Sequence, residues 1–427
     1  MKTQYNTIIV GAGAVGAAAA YHLTHTEGVR DVLVIDREAA CAQGSTGRSA
    51  AKVRDTVTAR TSHALCSSSI AAYQHYQSQG AELRLDLMGY LWLMTETQRR
   101  RNEKAIEEMR ENGIPLELLS PQDLSKIPGL SPPSPELGTL TDTADIQIHS
   151  ALFGRNCGSI DPDLLTQFYL RGFLEKGGEI LYRRNVADLV FKKPVREYPD
   201  PLFIDTSEVR GVTLDEEQDI YAENVILATG AYTPLLLEYG IRGLHSGLLG
   251  VKTRQLFEIR TDCFEEVPGF NDRGLPFTVL PLRGIYFYRS GTRRITIGCA
   301  DERTFLDRDA IRRGPEPESE FFRNSVMPIL LEYFPGLAGT TAIGTSAGFY
   351  DYGPGGLPII EQIQKGLLVA IGTSGRGIMT ADAIGRITAA RVLGKSSVHL
   401  FGCEQPFQTE RLGQGPGRAR EQERFAI

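Results

Sequence analysis

The chain is short of most features that mark a specialised class. Its 427 residues include six cysteines, Cys41, Cys66, Cys157, Cys263, Cys299 and Cys403, and none stands in a CxxC pair. That scatter offers neither a zinc site nor a disulfide framework and suits a reducing compartment. No metal site is expected. Positive charge is not in excess: the formal net charge of -6 argues against non-specific nucleic-acid binding, which needs a dense basic surface. Long apolar runs are missing. The longest, Ile8 to Ala20, is broken by Gly11, Gly13 and Gly16, and is shorter than the roughly 18 residues that a membrane span needs. Lys2 alone does not make the basic leader of a secretory signal. A cytoplasmic protein without a transmembrane segment is expected. There is no internal repeat, no low-complexity tract and no catalytic His/Asp constellation. His63 and His245 stand alone and read as ordinary structural histidines.

What is present fits a soluble globular enzyme, with 41% hydrophobic and 23% charged residues. The length exceeds one ordinary core and points to two domains. The 45 glycines suggest many tight turns and close backbone approaches. The start reads strand (NTIIV), glycine turn (GAGAVG), alanine-rich helix, then a second strand (DVLVIDRE). Ser62–Gln77 reads as a helix, Met88–Met94 as a strand, and Thr97–Asn112 as a charged amphipathic helix. PGLSPPSPE reads as a rigid loop. Leu164–Lys176 is a helix stopped by Gly177-Gly178. EILYRRNVADLVFKK alternates like a strand pair, and PVREYPDP looks like a surface insertion. YAENVILATG runs from a strand into a second glycine turn. Between Lys252 and Gly298 the alternation predicts an antiparallel sheet with turns at Arg283-Gly284 and Ser290-Gly291. GLLVAIGTSGRGIMTADAIG reads strand, glycine loop, helix. The tail from Arg411 has little pattern.

Parallel units thus stand at the start, middle and end, with an antiparallel block between. The expected fold is mixed α/β: a Rossmann-like dinucleotide domain of discontinuous segments (1–85, 151–235, 341–402) with an inserted antiparallel substrate domain (86–150, 236–340) and a tail (403–427).

Gly11, Gly13 and Gly16 form GxGxxG between a strand and a helix, with Asp36 at the end of the next strand. In that context Gly11 permits the tight turn. Gly13 lets the backbone, with Ala14 and Val15, approach a pyrophosphate at the helix N-terminus. Gly16 lets helix and strand pack closely. Asp36 suits ribose hydroxyls and disfavours NADP. The fingerprint does not separate NAD from FAD.

The stretch GSTGRSAAKVR (44–54) separates them. With Asp36-Arg37-Glu38 before it, it resembles the loop of the D-amino-acid oxidase/sarcosine oxidase superfamily that wraps flavin and phosphates. Ser45, Thr46, Arg48 and Ser49 match that text. Ile160-Asp161-Pro162, Val186 at the adenine position, Ala228-Thr229-Gly230 and Val251-Lys252-Thr253-Arg254-Gln255 resemble further family marks. So do GFYDYGPGGLPIIE and GTSGRGIMTADAIG, where Gly375, Arg376, Gly377 and Ile378 form the last glycine loop. The resemblance implies FAD, a small amine or amino-acid substrate, and hydride removal from the carbon beside the nitrogen. Such chemistry needs positioning more than acid–base groups. It needs an anchor for a carboxylate, for which Arg54 is the first candidate. Arg376 beside the flavin's pyrimidine edge would favour the charge of the reduced ring. Tyr286 and Tyr288 are candidate pocket residues.

The departures carry information too. Relatives resembling D-amino-acid and glycine oxidases place an arginine where this chain has Tyr350. That favours the sarcosine oxidase beta-subunit/dimethylglycine dehydrogenase-like branch. Met379 and Thr296 stand where monomeric sarcosine oxidases carry lysines. The tethering cysteine and histidine of some relatives would fall near Gly348 and Asp161, so non-covalent FAD is expected. Oxygen, a quinone or a carrier protein all stay open as electron acceptor. Other readings stay open: an NAD-linked dehydrogenase, a non-catalytic flavin-binding assembly factor, or one subunit of a hetero-oligomeric dehydrogenase.

Overall fold

A computed structural model describes residues 2–127, 129–141, 143, 145–192, 208–215, 218–237, 249–262, 275–300, 305–413 and 421. PVREYPDP and His245 lie outside these residues. The chain opens with β1 (Gln4–Val10), α1 (Ala14–Tyr21) and β2 (Val32–Asp36). Ile9 and Val34 face the helices, while Ile8, Val10, Leu33 and Ile35 face the layer behind. A strand covered on both faces must be apolar at every position, so NTIIV and VLVI read as continuous runs.

The first sheet has eight strands. β1 lies parallel to β2 on one side and to β3 (Asp219–Leu227) on the other. β3 in turn pairs parallel with β4 (Leu367–Ile371). Glu179–Tyr182 extends it beyond β2, and Ile359–Gln364 beyond β4. Val209–Leu214 pairs antiparallel with β3, and Val186–Phe191 pairs antiparallel with Val209–Leu214. The expected strand pair at 179–193 therefore forms both strands, but they do not pair with each other. Arg183, in the left-handed region at φ 57, turns the chain between them.

Three helices cover one face: α1, α2 (Pro162–Glu175) and α3 (Ala381–Val392). Small residues set their spacing. A Cβ on Gly385 of α3 would meet the backbone of Ala18 in α1 at 2.7 Å. Asp161 caps α2, accepting from the amides of Asp163 and Leu164 at 3.1 and 3.0 Å.

The second sheet also has eight strands, ordered Ala342–Tyr352, Gly250–Arg260, Arg294–Cys299, Ile285–Gly291, Phe277–Val279, Tyr90–Met94, Ser150–Gly154, Leu116–Leu119. It is antiparallel except where Phe277–Val279 runs parallel to Tyr90–Met94. Ser150–Gly154, which begins at one expected crossover point, and Ala342–Tyr352, which lies just past another, both pair into this sheet. The charged segment 97–112 forms two helices, Glu96–Arg101 and Glu103–Glu111, parted at Asn102, a residue poor in helix interiors. The end of PGLSPPSPE starts a helix, Pro135–Thr141; proline is tolerated at a first helical position. Among the described residues no helix is long and apolar enough to cross a membrane.

Candidate functional site

Between the two sheets lies one elongated cavity of about 790 Å³. Its first end is built from three turns of the first sheet. Gly11, at φ 109, leaves β1, and a Cβ there would meet the carbonyl oxygen of Ala228 at 2.6 Å. A Cβ on Gly16 would sit 1.9 Å from the carbonyl oxygen of Gly11. The two turns interlock, and neither tolerates a side chain. Gly13, Ala14 and Val15 line the cavity where α1 begins. Thr46 Oγ1 accepts from the Ala14 amide at 3.1 Å, tying the loop 44–51 to the helix start. Asp36 accepts from the amides of Ala12 (2.6 Å) and Glu38 (2.9 Å). Each carboxylate oxygen keeps a further lone pair for a hydroxyl. Val186 is buried at the wall, beside Ala228, Thr229 and Gly230. Arg37 lies with its guanidinium 3.9 Å from the Tyr232 ring centre. Ser45 donates to the Phe349 carbonyl at 2.8 Å, and Ser49 to the Thr46 carbonyl at 2.7 Å.

The far end is walled by the second sheet. Tyr90 stacks on Phe277 at 4.2 Å, and Phe277 on Tyr286 at 4.9 Å. Opposite stands a three-residue strand, Lys52–Arg54, antiparallel to Cys157–Ser159. Alternation puts Lys52 and Arg54 on the cavity side and the fully buried Val53 in the core. Arg54 is 5% exposed; it donates to the Thr56 carbonyl and lies 5.8 Å from the Trp92 ring centre. Behind it, burial pushes the Asp55 carboxyl up to about 6, against a 2.5 Å hydrogen bond from Asn156. Tyr350 packs on Gly375, where a Cβ would meet its ring at 2.1 Å, and its phenol feels both Arg254 and Arg54. Three non-glycine residues of the lining, Ala42 (φ 60), Ala51 (φ 48) and Ser374 (φ 53), hold left-handed backbone, a strain that gathers at functional sites.

The cavity thus collects nearly all the residues singled out from sequence: Arg54, Tyr286, Tyr350, Gly375, Arg376, Gly377 and Ile378 join the glycine turns. Gly16 stays outside the lining, behind the turn it allows to form. Arg48 is the main exception. It lines a small neighbouring recess, and a Cβ on Gly348 would meet its Cβ at 3.3 Å. Its Cβ and its carbonyl oxygen lie against Gly348 of the second sheet. Arg376 was expected at a helix start; a three-residue turn, Ile378–Thr380, comes before α3. Its guanidinium is buried and donates to the Gly356 carbonyl and, at 3.4 Å, to Ser62. Tyr288 does not line the cavity; its ring backs Lys52, 3.6 Å from Nζ. His63 is half-buried and outside it. Reading the sequence missed Lys52, Tyr90, Phe277 and Arg254 as site residues. Arg254 donates to the Tyr352 hydroxyl at 2.7 Å. The signal for Lys52 was period two in KVR, which puts it on the face of Arg54.

The residues fit FAD. Turns that exclude any Cβ leave backbone amides bare for phosphates. The volume lies within the roughly 300–1,000 Å³ of ligand pockets. Bound FAD supplies a two-electron acceptor.

Comparisons with known proteins agree. The chain is 25% identical over 414 residues to FAD-dependent oxidoreductase domain-containing protein 1 of Bos taurus, covering 91% of this chain and 81% of that one. It is 26% identical over 197 residues to sarcosine oxidase subunit beta of Rhodobacter capsulatus, covering 42% and 46%. The L-proline dehydrogenase structure from P. horikoshii superposes with a TM-score of 0.73 at 20% identity, covering 94% of this chain and 96% of that one. The family model described as FAD dependent oxidoreductase matches residues 6–391. The cradle seen in the cavity is therefore inherited with the rest of the fold, and the chain belongs to the DAO family of FAD-dependent oxidoreductases.

Proposed function

We propose that the protein oxidises the C–N bond of a small secondary amine or amino acid, an N-methyl amino acid or an imino acid such as proline, by hydride transfer to non-covalent FAD. The observation that carries this reading is Arg54, a buried guanidinium in the chamber that the FAD cradle opens into. A planar cation in a water-poor aromatic chamber selects a small carboxylate. Tyr90, Phe277 and Tyr286 exclude water and press the apolar part of the substrate into place. The sarcosine oxidase subunit and the L-proline dehydrogenase among the similar proteins support the substrate class. The division into cofactor and substrate domains belongs to the same proposal.

The test is a visible spectrum followed by anaerobic addition of N-methyl amino acids, proline and D-amino acids. Bleaching of the flavin by an N-methyl or imino acid is expected, and acid precipitation should release the flavin into the supernatant. Flavin that none of these compounds bleaches would refute the reading and favour a non-catalytic role. Rapid bleaching with slow reoxidation in air would mark a dehydrogenase; fast peroxide formation would mark an oxidase.

A further inference from the structure

Resting on the amine-oxidation reading above, we propose that Lys52 is the proton acceptor for the substrate nitrogen. Lys52 and Arg54 stand two residues apart on one face of a strand, on the order of 7 Å apart along it, and both line the same chamber. An amino acid held by its carboxylate on Arg54 has its nitrogen beside that anchor, where a second long side chain from the same face can reach it.

The surroundings of Lys52 suit a group that gains and loses a proton. Nζ rests 3.6 Å from the ring centre of Tyr288. A ring face steadies a cation without accepting its proton. None of the described salt bridges includes Lys52. The charged and titratable groups around it are Arg54 on its own strand, Cys157 on the paired strand, Asp86 on the adjoining segment, His63 in the first turn of the helix packed behind, Tyr288, and Arg376 across the chamber. Burial lowers the lysine to about 7, and Asp86 opposes that only in part. Above neutral pH Nζ therefore carries a free electron pair.

An amino acid enters as the ammonium form, and hydride leaves readily only from a carbon beside an unprotonated nitrogen. In the proposed step the substrate N–H bond breaks, its electron pair stays on the substrate nitrogen, and an N–H bond forms at Lys52 Nζ. No electrons change owner, so the step needs no oxidant. The new ammonium stays over the Tyr288 ring until product leaves and water takes the proton.

Two measurements on the full-length protein test this. The first is pulse acylation by acetic anhydride from pH 6 to 11, read by peptide mass spectrometry, without and with FAD. Lys52 should label half-maximally near pH 7, while ordinary lysines follow about 10.4. The second is the anaerobic rate of flavin bleaching against pH for wild type, Lys52→Met and Lys52→Arg, with circular dichroism to confirm folding. Wild type should level off above neutral pH. Both variants should be slowed roughly 10²-fold or more at pH 7 and should climb about tenfold per pH unit toward the substrate's own amine pKa. Ordinary titration of Lys52, an unchanged profile in Lys52→Met, rescue by arginine, or a loss confined to reoxidation in air would each overturn the assignment while leaving amine oxidation standing. Flavin bleached by no amine overturns both.

Discussion

Two buried aspartates show how the same ingredient serves opposite ends. Asp382 lies fully buried among the helices that cover the first sheet. His22 (3.0 Å), Tyr76 (2.7 Å), Tyr169 (3.3 Å) and Arg386 (2.7 Å) all reach its carboxylate. Burial alone would raise it, but His22 and Arg386 hold it down at about 2. Asp55, 3% exposed behind the far end of the cavity, has a hydrogen bond from Asn156 on one oxygen and no hydrogen-bond partner on the other, Oδ1. Burial wins there and pushes it to about 6. The first cluster is compensated and joins four segments far apart in sequence. The second is under-compensated and stands beside Arg54, a residue of the cavity lining. A buried, under-compensated carboxyl beside a cavity is the pattern expected of functional sites.

The contrast can be broken most forcefully at Asp382. Asp382→Ala leaves Arg386 and three polar side chains without their acceptor and should cost about 3–5 kcal/mol, read by urea unfolding. A loss under 1 kcal/mol would mean that the cluster does not hold the helices together.

Arg54→Met is the matching test on the chamber side. It should leave the melting temperature nearly unchanged and raise the amine concentration for half-maximal bleaching roughly 10- to 100-fold, the equivalent of one charged hydrogen-bonded contact of about 1.5–3 kcal/mol. Unchanged concentration dependence would remove Arg54 as the carboxylate anchor.

The two carboxyls also predict opposite pH behaviour. Asp382 is depressed below the unfolded value of about 3.9. Its contribution is complete above pH 4 and is lost as pH falls toward 2. Asp55 is raised, so the native state binds more protons than the unfolded chain between about pH 4 and 6, and stability falls as pH rises through that window. Asp55→Asn should therefore be more stable than wild type by roughly 1–3 kcal/mol at pH 7.5, with the difference closing near pH 4. A variant that is weaker at pH 7.5 would show Asp55 to be a stabilising ion. The smallest effect is expected at the cradle: Thr46→Ala loses the hydrogen bond to the Ala14 amide, about 1 kcal/mol, and should loosen FAD measurably in a dialysis assay.

The cradle was legible because its parts are local. Gly11 to Asp36 span one strand–turn–helix–strand unit, although the side chain that Gly11 lacks would meet Ala228 of a distant turn. Ser45 and Thr46 were found through the family resemblance of GSTGRSAAKVR. The far end of the cavity was legible only in pieces. Arg54 stood out by resemblance, yet nothing near it announces Tyr90, Phe277 or Arg254, which arrive from other strands of the second sheet. Lys52 read as one more loop cation until its neighbours removed water from it. Arg48 lines the adjoining recess and not the main cavity, since the motif gives its type and order but not its place. Asp382 gave no signal at all, because its partners stand at residues 22, 76 and 169.

The sequence by itself determined the alternation of elements and the dinucleotide turn, since these depend on spacing within about 30 residues and on backbone freedom at a few glycines; the kind of cofactor came from the family resemblance that GSTGRSAAKVR carries. Only the tertiary structure decided which charges are paired and which are left to titrate. That choice depends on burial and on distances between residues far apart in sequence, 360 positions for His22 and Asp382, and Coulomb forces act through space rather than along the chain.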